Sequence, residues 1–234
     1  MQNNNSIIAP FSNDYNHAVT FWGKDNCVCF AGKLGGGALP KIKIGQKPGA
    51  FIRSPQGCLV YIGEGVSFQA NSTIFLAEDY SLVYIGKHSM ISWNVEMWCT
   101  DSHSVLDLDN NLINKGKYLY IGNHVWIGRD VSINKNSIIS NDSIVGCNSL
   151  VAKRFKEPNC AIGGNPAKVI KNGVCWDAQP PDTYLCNRKP LPNKSKSILT
   201  ENEKNYIKEK ANRIKEFHRD TNVDWCVESL FMNL

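Results

Sequence analysis

The stretch Ile121-Gly-Asn-His-Val-Trp126-Ile127-Gly-Arg-Asp-Val-Ser-Ile133-Asn-Lys-Asn-Ser-Ile-Ile139-Ser-Asn-Asp-Ser-Ile-Val145-Gly-Cys-Asn-Ser-Leu-Val151 decides the fold. From Ile121 through Ile127, Ile133, Ile139 and Val145 to Val151, every sixth residue is a branched aliphatic. The fifth place of each hexad is small or β-branched: Val125, Val131, Ser137, Ser143 and Ser149. The third and fourth places are polar almost throughout, as in Asn123-His124, Arg129-Asp130, Lys135-Asn136, Asn141-Asp142 and Cys147-Asn148. At about 100° per residue a helix scatters six-spaced aliphatics around its circumference. One long flat strand sets the third position on the same face as the first and fifth, and its polar residues exclude that reading. The chain must turn once per hexad. Short strands joined by such corners wind into a parallel β-helix, whose interior stacks each aliphatic on its counterpart in the next coil.

The pattern extends upstream with interruptions. Ile62, Phe68 and Ile74 are six apart, a five-residue slip runs through Asp79–Tyr84, and Ile85, Ile91 and Met97 resume the spacing. Between Met97 and Ile121 a polar stretch from Thr100 to Tyr118 breaks it, carrying Asp101, His103, Asp107 and Asp109. A long irregular loop in a regular solenoid, with ionisable residues at its base, is expected to serve function. Upstream of this body the Asn-rich start and Gly35-Gly36-Gly37 show no clear period, and the weak alternation from Lys41 to Ile44 marks a possible first coil. Downstream, the regular pattern ends at Glu157-Pro158, and Gly163-Gly164-Asn165-Pro166 is a turn cluster. Thr200-Glu-Asn-Glu203 fits a capping box, and Ile207, Ala211, Ile214 and His218 recur at helical spacing, which predicts an amphipathic helix over about 200–219. The expected organisation is an N-terminal segment (1–40), a β-helix body (41–175, loop about 100–118) and a C-terminal extension (176–234).

The rest of the composition narrows the function classes. A hydrophobic share of 42% with 20% charged residues describes a globular chain, not a disordered one. Nine cysteines without CxxC pairs, and no N-terminal signal pattern, suggest reduced thiols and a cytoplasmic location. No run approaches 18 apolar residues, so no transmembrane segment is expected. The net charge of +5 is concentrated in residues 188–220, where ten Lys/Arg face five Asp/Glu. Those acidic residues are interspersed and aromatics are not interleaved, so nucleic acid is not the expected partner. The basic helix is expected either to brace an oligomer or, through Lys208 and Lys210, to steer an anionic acceptor.

At this point a family resemblance becomes legible. Ile121–Gly128, the loop segment Thr100-Asp-Ser-His103, the exit Ser149-Leu-Val-Ala-Lys153 and Gly164-Asn-Pro-Ala-Lys-Val-Ile-Lys171 resemble the hexapeptide-repeat acyltransferases, and among them the O-acetyltransferases of sugars and bacterial surface polysaccharides. The resemblance covers about residues 60–175. It implies an all-β, left-handed parallel β-helix of hexapeptide repeats, three hexads per coil, with a protruding loop, followed by the C-terminal α-helical extension. It also implies a homotrimer with active sites between subunits, acetyl-CoA as co-substrate, no tightly bound cofactor, no metal, and a carbohydrate acceptor, whose anionic character the basic segment suggests.

His103 matches the family's catalytic loop histidine. A neutral imidazole with pKa near 6.5 can take the proton of an attacking hydroxyl; the alternative is a solvated loop histidine. Asp101 either orients that ring or is simply solvated. Trp126 occupies a corner too narrow for an inward indole, so it is expected to point outward. The resemblance sets it along the acetyl-CoA and acceptor groove at the catalytic site, offering an apolar wall and an N–H donor, the alternative being packing against the next subunit. The resemblance assigns Arg129 and Cys147 to the pantetheine arm, Lys153 and Lys171 to the CoA tail, and an amide near Gly128-Arg129 to the developing oxyanion. On the acceptor side Asn71 falls near a sugar-binding position, while Trp93, Asn94 and Trp98 fit either pyranose stacking or subunit packing. N-acetylation of an amino sugar and a non-enzymatic trimeric scaffold remain alternatives. A zinc carbonic anhydrase on the same helix is disfavoured, because His88, His103 and His124 lack the ligand spacing.

Overall fold

A computed structural model describes residues 3–10, 14–46, 53–181 and 198–234. Arg188, Lys189, Lys194 and Lys196, four of the basic residues noted above, lie outside the described residues. The hexads do what their period requires. Ile121 pairs with Ile139, Ile127 with Val145 and Ile133 with Val151, so three hexads complete one coil before each strand meets its successor in parallel register. Three sheets result. The first contains Ser6–Ile8, Cys27–Phe30, Leu59–Ile62, Leu82–Ile85, Tyr118–Ile121, Ser137–Ile139 and Arg154–Phe155, in that order. The second, here the groove sheet, runs from Ser67–Phe68 through Met90–Ile91, Trp126–Ile127 and Ile144–Val145 to Cys160–Gly163, and ends on the antiparallel strand Lys168–Asn172. The third, the side sheet, runs from Val19–Phe21 through Lys41–Ile44, Thr73–Leu76, Glu96–Trp98 and Ser132–Asn134 to Leu150–Val151.

The inward residues of the three sheets form one continuous core. The six-spaced aliphatics of the decisive stretch, Ile121, Ile127, Ile133, Ile139, Val145 and Val151, are fully buried, as are Ile62, Phe68, Ile74, Ile85, Ile91 and Met97 upstream. The fifth-position residues Val125, Val131, Ser137, Ser143 and Ser149 are buried at the corners, which explains their small size. The fourth position has a separate cause. His124, Asp130, Asn136, Asp142 and Asn148 all adopt left-handed backbone, with φ between 52° and 62°. Asn, Asp and, less readily, His tolerate that region, whereas a β-branched residue there is strained.

The coil begins within the first forty residues, because Ser6–Ile8 and Cys27–Phe30 already belong to the first sheet and Val19–Phe21 to the side sheet. It also continues past Pro158, with Ala161 and Ile162 pairing onto Ile144 and Val145.

The first sheet is covered on its outer face as well. Two helices, Glu201–His218 and Thr221–Phe231, lay Ile207, Ala211, Ile214, Val223, Val227 and Leu230 against Leu59, Tyr61, Leu82, Tyr84, Tyr118 and Tyr120. Buried on both faces, its strands Cys27–Phe30, Leu59–Ile62, Leu82–Ile85 and Tyr118–Ile121 read as unbroken apolar runs. Tyr61, Tyr84 and Tyr120 stack ring on ring at 5.2 and 4.8 Å. The expected capping box is present: Glu203 N–H donates to Thr200 Oγ1 at 3.3 Å and Thr200 N–H to Glu203 Oε2 at 2.7 Å. The second helix was not legible in the hydrophobic spacing; Asp220 caps it by accepting from Asn222 N–H. The first helix packs on its own chain's first sheet. Lys210 is buried and donates to the Asp25 carbonyl, so it is not a free charge that could steer an acceptor.

Candidate active site

The interruptions of the repeat gather at one corner, between the side sheet and the first sheet. The five-residue slip sits there one coil below the loop that connects Trp98 to Tyr118. His103 lies on that loop, exposed, in a recess of about 250 Å³ lined by Arg53, Glu78, Thr100, Ser102, Asn114 and Lys115 among others. Among the described residues its ring has no hydrogen-bond partner. Asp101 does not touch that ring: its carboxylate pairs with Lys135 Nζ at 2.7 Å and accepts from Asn114 Nδ2 at 2.8 Å. The downstream stem is held from the helices. Lys115 Nζ sits 3.8 Å from the Phe217 ring centroid, Lys117 pairs with Asp220, and His218 Nε2 meets the Tyr80 carbonyl at 2.9 Å. Burial, with Lys115 and Lys117 nearby, pushes the His218 pKa below its ordinary value. Burial works against the Asp220 carboxylate, but its bonds from Lys117 and Asn222 prevail and hold its pKa at about 2.

The second half of the candidate site is built on regular coils. Trp126 points outward from the groove sheet, 37% exposed, and with Ser92, Trp93, Arg129, Val145 and Cys147 it lines a groove of about 320 Å³. Its indole N–H is directed at Ser92 Oγ, 3.4 Å away. Gly128 forms the floor: a Cβ there would stand 2.7 Å from the Cys147 nitrogen. The Gly128 N–H already donates to Val145 O at 2.8 Å, so of the two amides considered for an oxyanion the Arg129 amide is the remaining candidate. Trp126, Ile144, Ala161 and Lys171 are register partners across successive strands. With strands about 4.8 Å apart, Lys171 stands three rungs, roughly 14 Å, beyond Trp126 on the same face. Lys153 is exposed but leaves the side sheet at the loop corner, away from this line.

Asn71 and Asn94 belong to the corner that edges the groove. Asn71 Nδ2 donates to Asn94 Oδ1 at 3.2 Å and Asn94 Nδ2 to Asp130 Oδ1 at 2.9 Å, a ladder linking three coils. Trp93, on the same corner, is 53% exposed beside Trp126. Trp98 separates from them, packing edge-on to Phe75 on the side sheet at 4.9 Å. Trp176 was not expected near the site. It stacks on His124 at 4.5 Å, donates its N–H to the His124 carbonyl at 2.8 Å, and lies 6.0 Å from Trp126. Its place depends on the chain folding back after Asn172, which leaves no periodic signal.

Among the described residues, the structure thus divides the expected site residues between two edges of the side sheet: His103 and Lys153 on one, Trp93, Trp126, Arg129 and Cys147 on or beside the other. One chain does not bring them together. Eight described cysteines are free thiols, and burial pushes Cys27 up to about 11 and Cys58 to about 12, which makes poor acyl carriers of them. No helix among the described residues is long and apolar enough to cross a membrane.

Solved structures similar to this chain include acetyltransferases. The polysialic acid O-acetyltransferase OatWY is 28% identical with a TM-score of 0.52, covering 75% of this chain and 89% of that one. The polySia-specific acetyltransferase NeuO is 24% identical with a TM-score of 0.41, over 76% of this chain and 91% of that one. In sequence, an uncharacterized 24.8 kDa protein in the cps region of Klebsiella pneumoniae is 50% identical over 97 residues, which span 42% of this chain and 43% of that relative. No protein-family model matches the chain.

Proposed function

We propose that this chain is an acetyl-CoA-dependent O-acetyltransferase of a carbohydrate, a component of a capsule or other bacterial surface polysaccharide. The observation that carries the reading is the likeness to a polysialic acid O-acetyltransferase over most of both chains. The relative in a cps region supports the choice of polysaccharide. In this reading the coil is left-handed, the protein is a cytoplasmic homotrimer, and residues 41–175 form the catalytic body.

The division of site residues between two edges of one sheet supports active sites between subunits. The loop corner of one subunit, with His103 and Lys153, meets the Trp126 groove of the next. The thioester lies along the groove, with Trp126 as apolar wall, Arg129 and Cys147 beside the pantetheine, and Lys171 and Lys153 near the phosphates. Trp93 offers the sugar a stacking face, and Asn71 and Asn94 edge the acceptor side. His103 takes the proton from the acceptor hydroxyl as its oxygen bonds to the thioester carbonyl carbon. The Arg129 amide holds the oxyanion; the C–S bond then breaks, and the proton passes from His103 to the departing thiolate.

The test is thiol release from acetyl-CoA, measured with polysialic acid, neutral oligosaccharides, amino sugars and water as acceptors. Release stimulated by a hydroxyl-bearing glycan, with an O-acetyl ester on the product, is expected. An absence of acceptor-stimulated release, or an amide product, overturns the reading. Sedimentation should give a trimer, and a fully active monomer contradicts shared sites.

A further inference from the structure

The slip in the repeat and the loop above it are joined by a polar clamp that the acetyl-transfer reading does not use. Glu78, immediately before the slip, accepts from Thr100 Oγ1 at 2.8 Å on the ascending stem and from Gly116 N–H on the descending one. Lys135, in the corresponding corner one coil above, has a side chain only 8% exposed; it pairs with Asp101 and donates to the Asn114 carbonyl. Asn114 links the two stems to each other. Its Nδ2 donates to Asp101 Oδ2 and to the His103 carbonyl, each at 2.8 Å, and its Oδ1 accepts from Val105 N–H at 2.7 Å. Gly116 leaves room for the arrangement, since a Cβ there would stand 2.8 Å from the Glu78 carboxylate.

We propose that Asn114 and Lys135 are positioning residues that fix the main chain of His103 so that its imidazole meets the acceptor hydroxyl. The inference rests on the acetyl-transfer reading above. The physical need is clear: His103 sits on an irregular loop, and its ring has no partner of its own among the described residues. Its direction is therefore set through its backbone. Asn114 supplies that constraint by holding the carbonyl of His103 and the amide of Val105, the residues on either side of Ser104. Lys135 in turn holds Asn114 and Asp101 from a rigid coil. A displacement of about 1 Å at a reacting group costs on the order of 10²-fold in rate, so the clamp acts on kcat and leaves the distant groove alone.

The experiment compares Asn114→Ala, Lys135→Met, Lys135→Arg and His103→Ala in the full-length protein, with the acceptor giving the highest thiol release, water included. Asn114→Ala and Lys135→Met should each lower kcat about 10- to 100-fold, with KM for acetyl-CoA within about twofold of wild type; Lys135→Arg should recover most of the loss. Combined with His103→Ala, Asn114→Ala should cost nothing further, because a positioning effect vanishes when the positioned group is gone. Independently of turnover, amide exchange at Val105 should accelerate at least about tenfold in Asn114→Ala, with the melting temperature close to wild type. Full activity of His103→Ala removes His103 from the mechanism and overturns the clamp with it, whereas absent acceptor-stimulated release from the wild type overturns the acetyl-transfer reading instead. A deficient His103→Ala beside a fully active Asn114→Ala, or an additive double mutant, overturns the clamp and leaves that reading standing.

Discussion

The His103 recess and the Trp126 groove are two halves of one candidate site, and they are built in opposite ways. The groove is made by repetition: Trp126, Gly128 and Cys147 take their places because Ile127 and Val145 stack in register beneath them. The recess is made by interruption. Its residues come from a slip, an inserted loop and the neighbouring coil, held by Glu78, Asn114 and Lys135 over long sequence separations. Surface produced by a periodic core is fixed by burial, whereas an irregular loop needs specific polar contacts to hold one conformation. The groove suits a long co-substrate laid across successive coils, and the recess suits a single group that must be aimed.

If the halves divide the work in this way, His103→Ala should have the largest effect, lowering kcat about 10²–10⁴-fold while calorimetric affinity for CoA stays within about twofold. Loss of CoA affinity in that variant would break the division. Gly128→Ala should act in the other half, crowding the Cys147 nitrogen and Val145 oxygen. A loss of about 1–3 kcal/mol in urea unfolding is expected, as for other overpacked sites, together with weaker CoA binding. Trp126→Ala should weaken CoA binding roughly tenfold, of the order expected for losing one aromatic contact, and leave the melting temperature nearly unchanged. An unchanged affinity would move the donor out of the groove.

The smallest effect concerns the helix end that holds the loop stem. The His218 pKa is depressed in the folded protein, so the neutral ring is favoured there. Its contribution to stability is complete above about pH 6.5 and is lost as pH falls from there through the folded pKa. Asp220, held at about 2, keeps its own contribution until pH drops below its ordinary value near 3.8. Thermal melts at pH 7.5 and 5.5 should therefore show a modest decline that is reduced in His218→Gln. Amide exchange should rise first around Lys115 and Lys117 and stay slow at Ile127 and Val145. An equal rise in both regions would mean that the stem and the coil do not open independently.

The same contrast explains what could be read beforehand. Positions one and five of each hexad gave the core, because burial at a fixed period leaves a fixed period in the sequence. The polar fourth position was visible too, although its cause, left-handed backbone at every corner, needed the structure. The resemblance sets Asn71 near a sugar-binding position, and Asn94 fits either sugar contact or subunit packing, but their position in a corner ladder is a tertiary fact. Glu78 had one overlooked signal, the register slip beside it. Asn114 and Trp176 had none, since contacts between residues tens of positions apart follow no period.

By itself, then, the sequence determined the coil, its interior, its outward indole and the capped helix, all of which rest on local geometry and repeated burial. Only the tertiary structure decided that the helices cover the chain's own first sheet and that the coil starts near Ser6. It alone placed the His103 loop at one edge of the side sheet and the Trp126 groove beside the other. Those outcomes depend on which distant surfaces find each other, and such pairing is fixed by shape and polar complementarity in three dimensions, not by spacing along the chain.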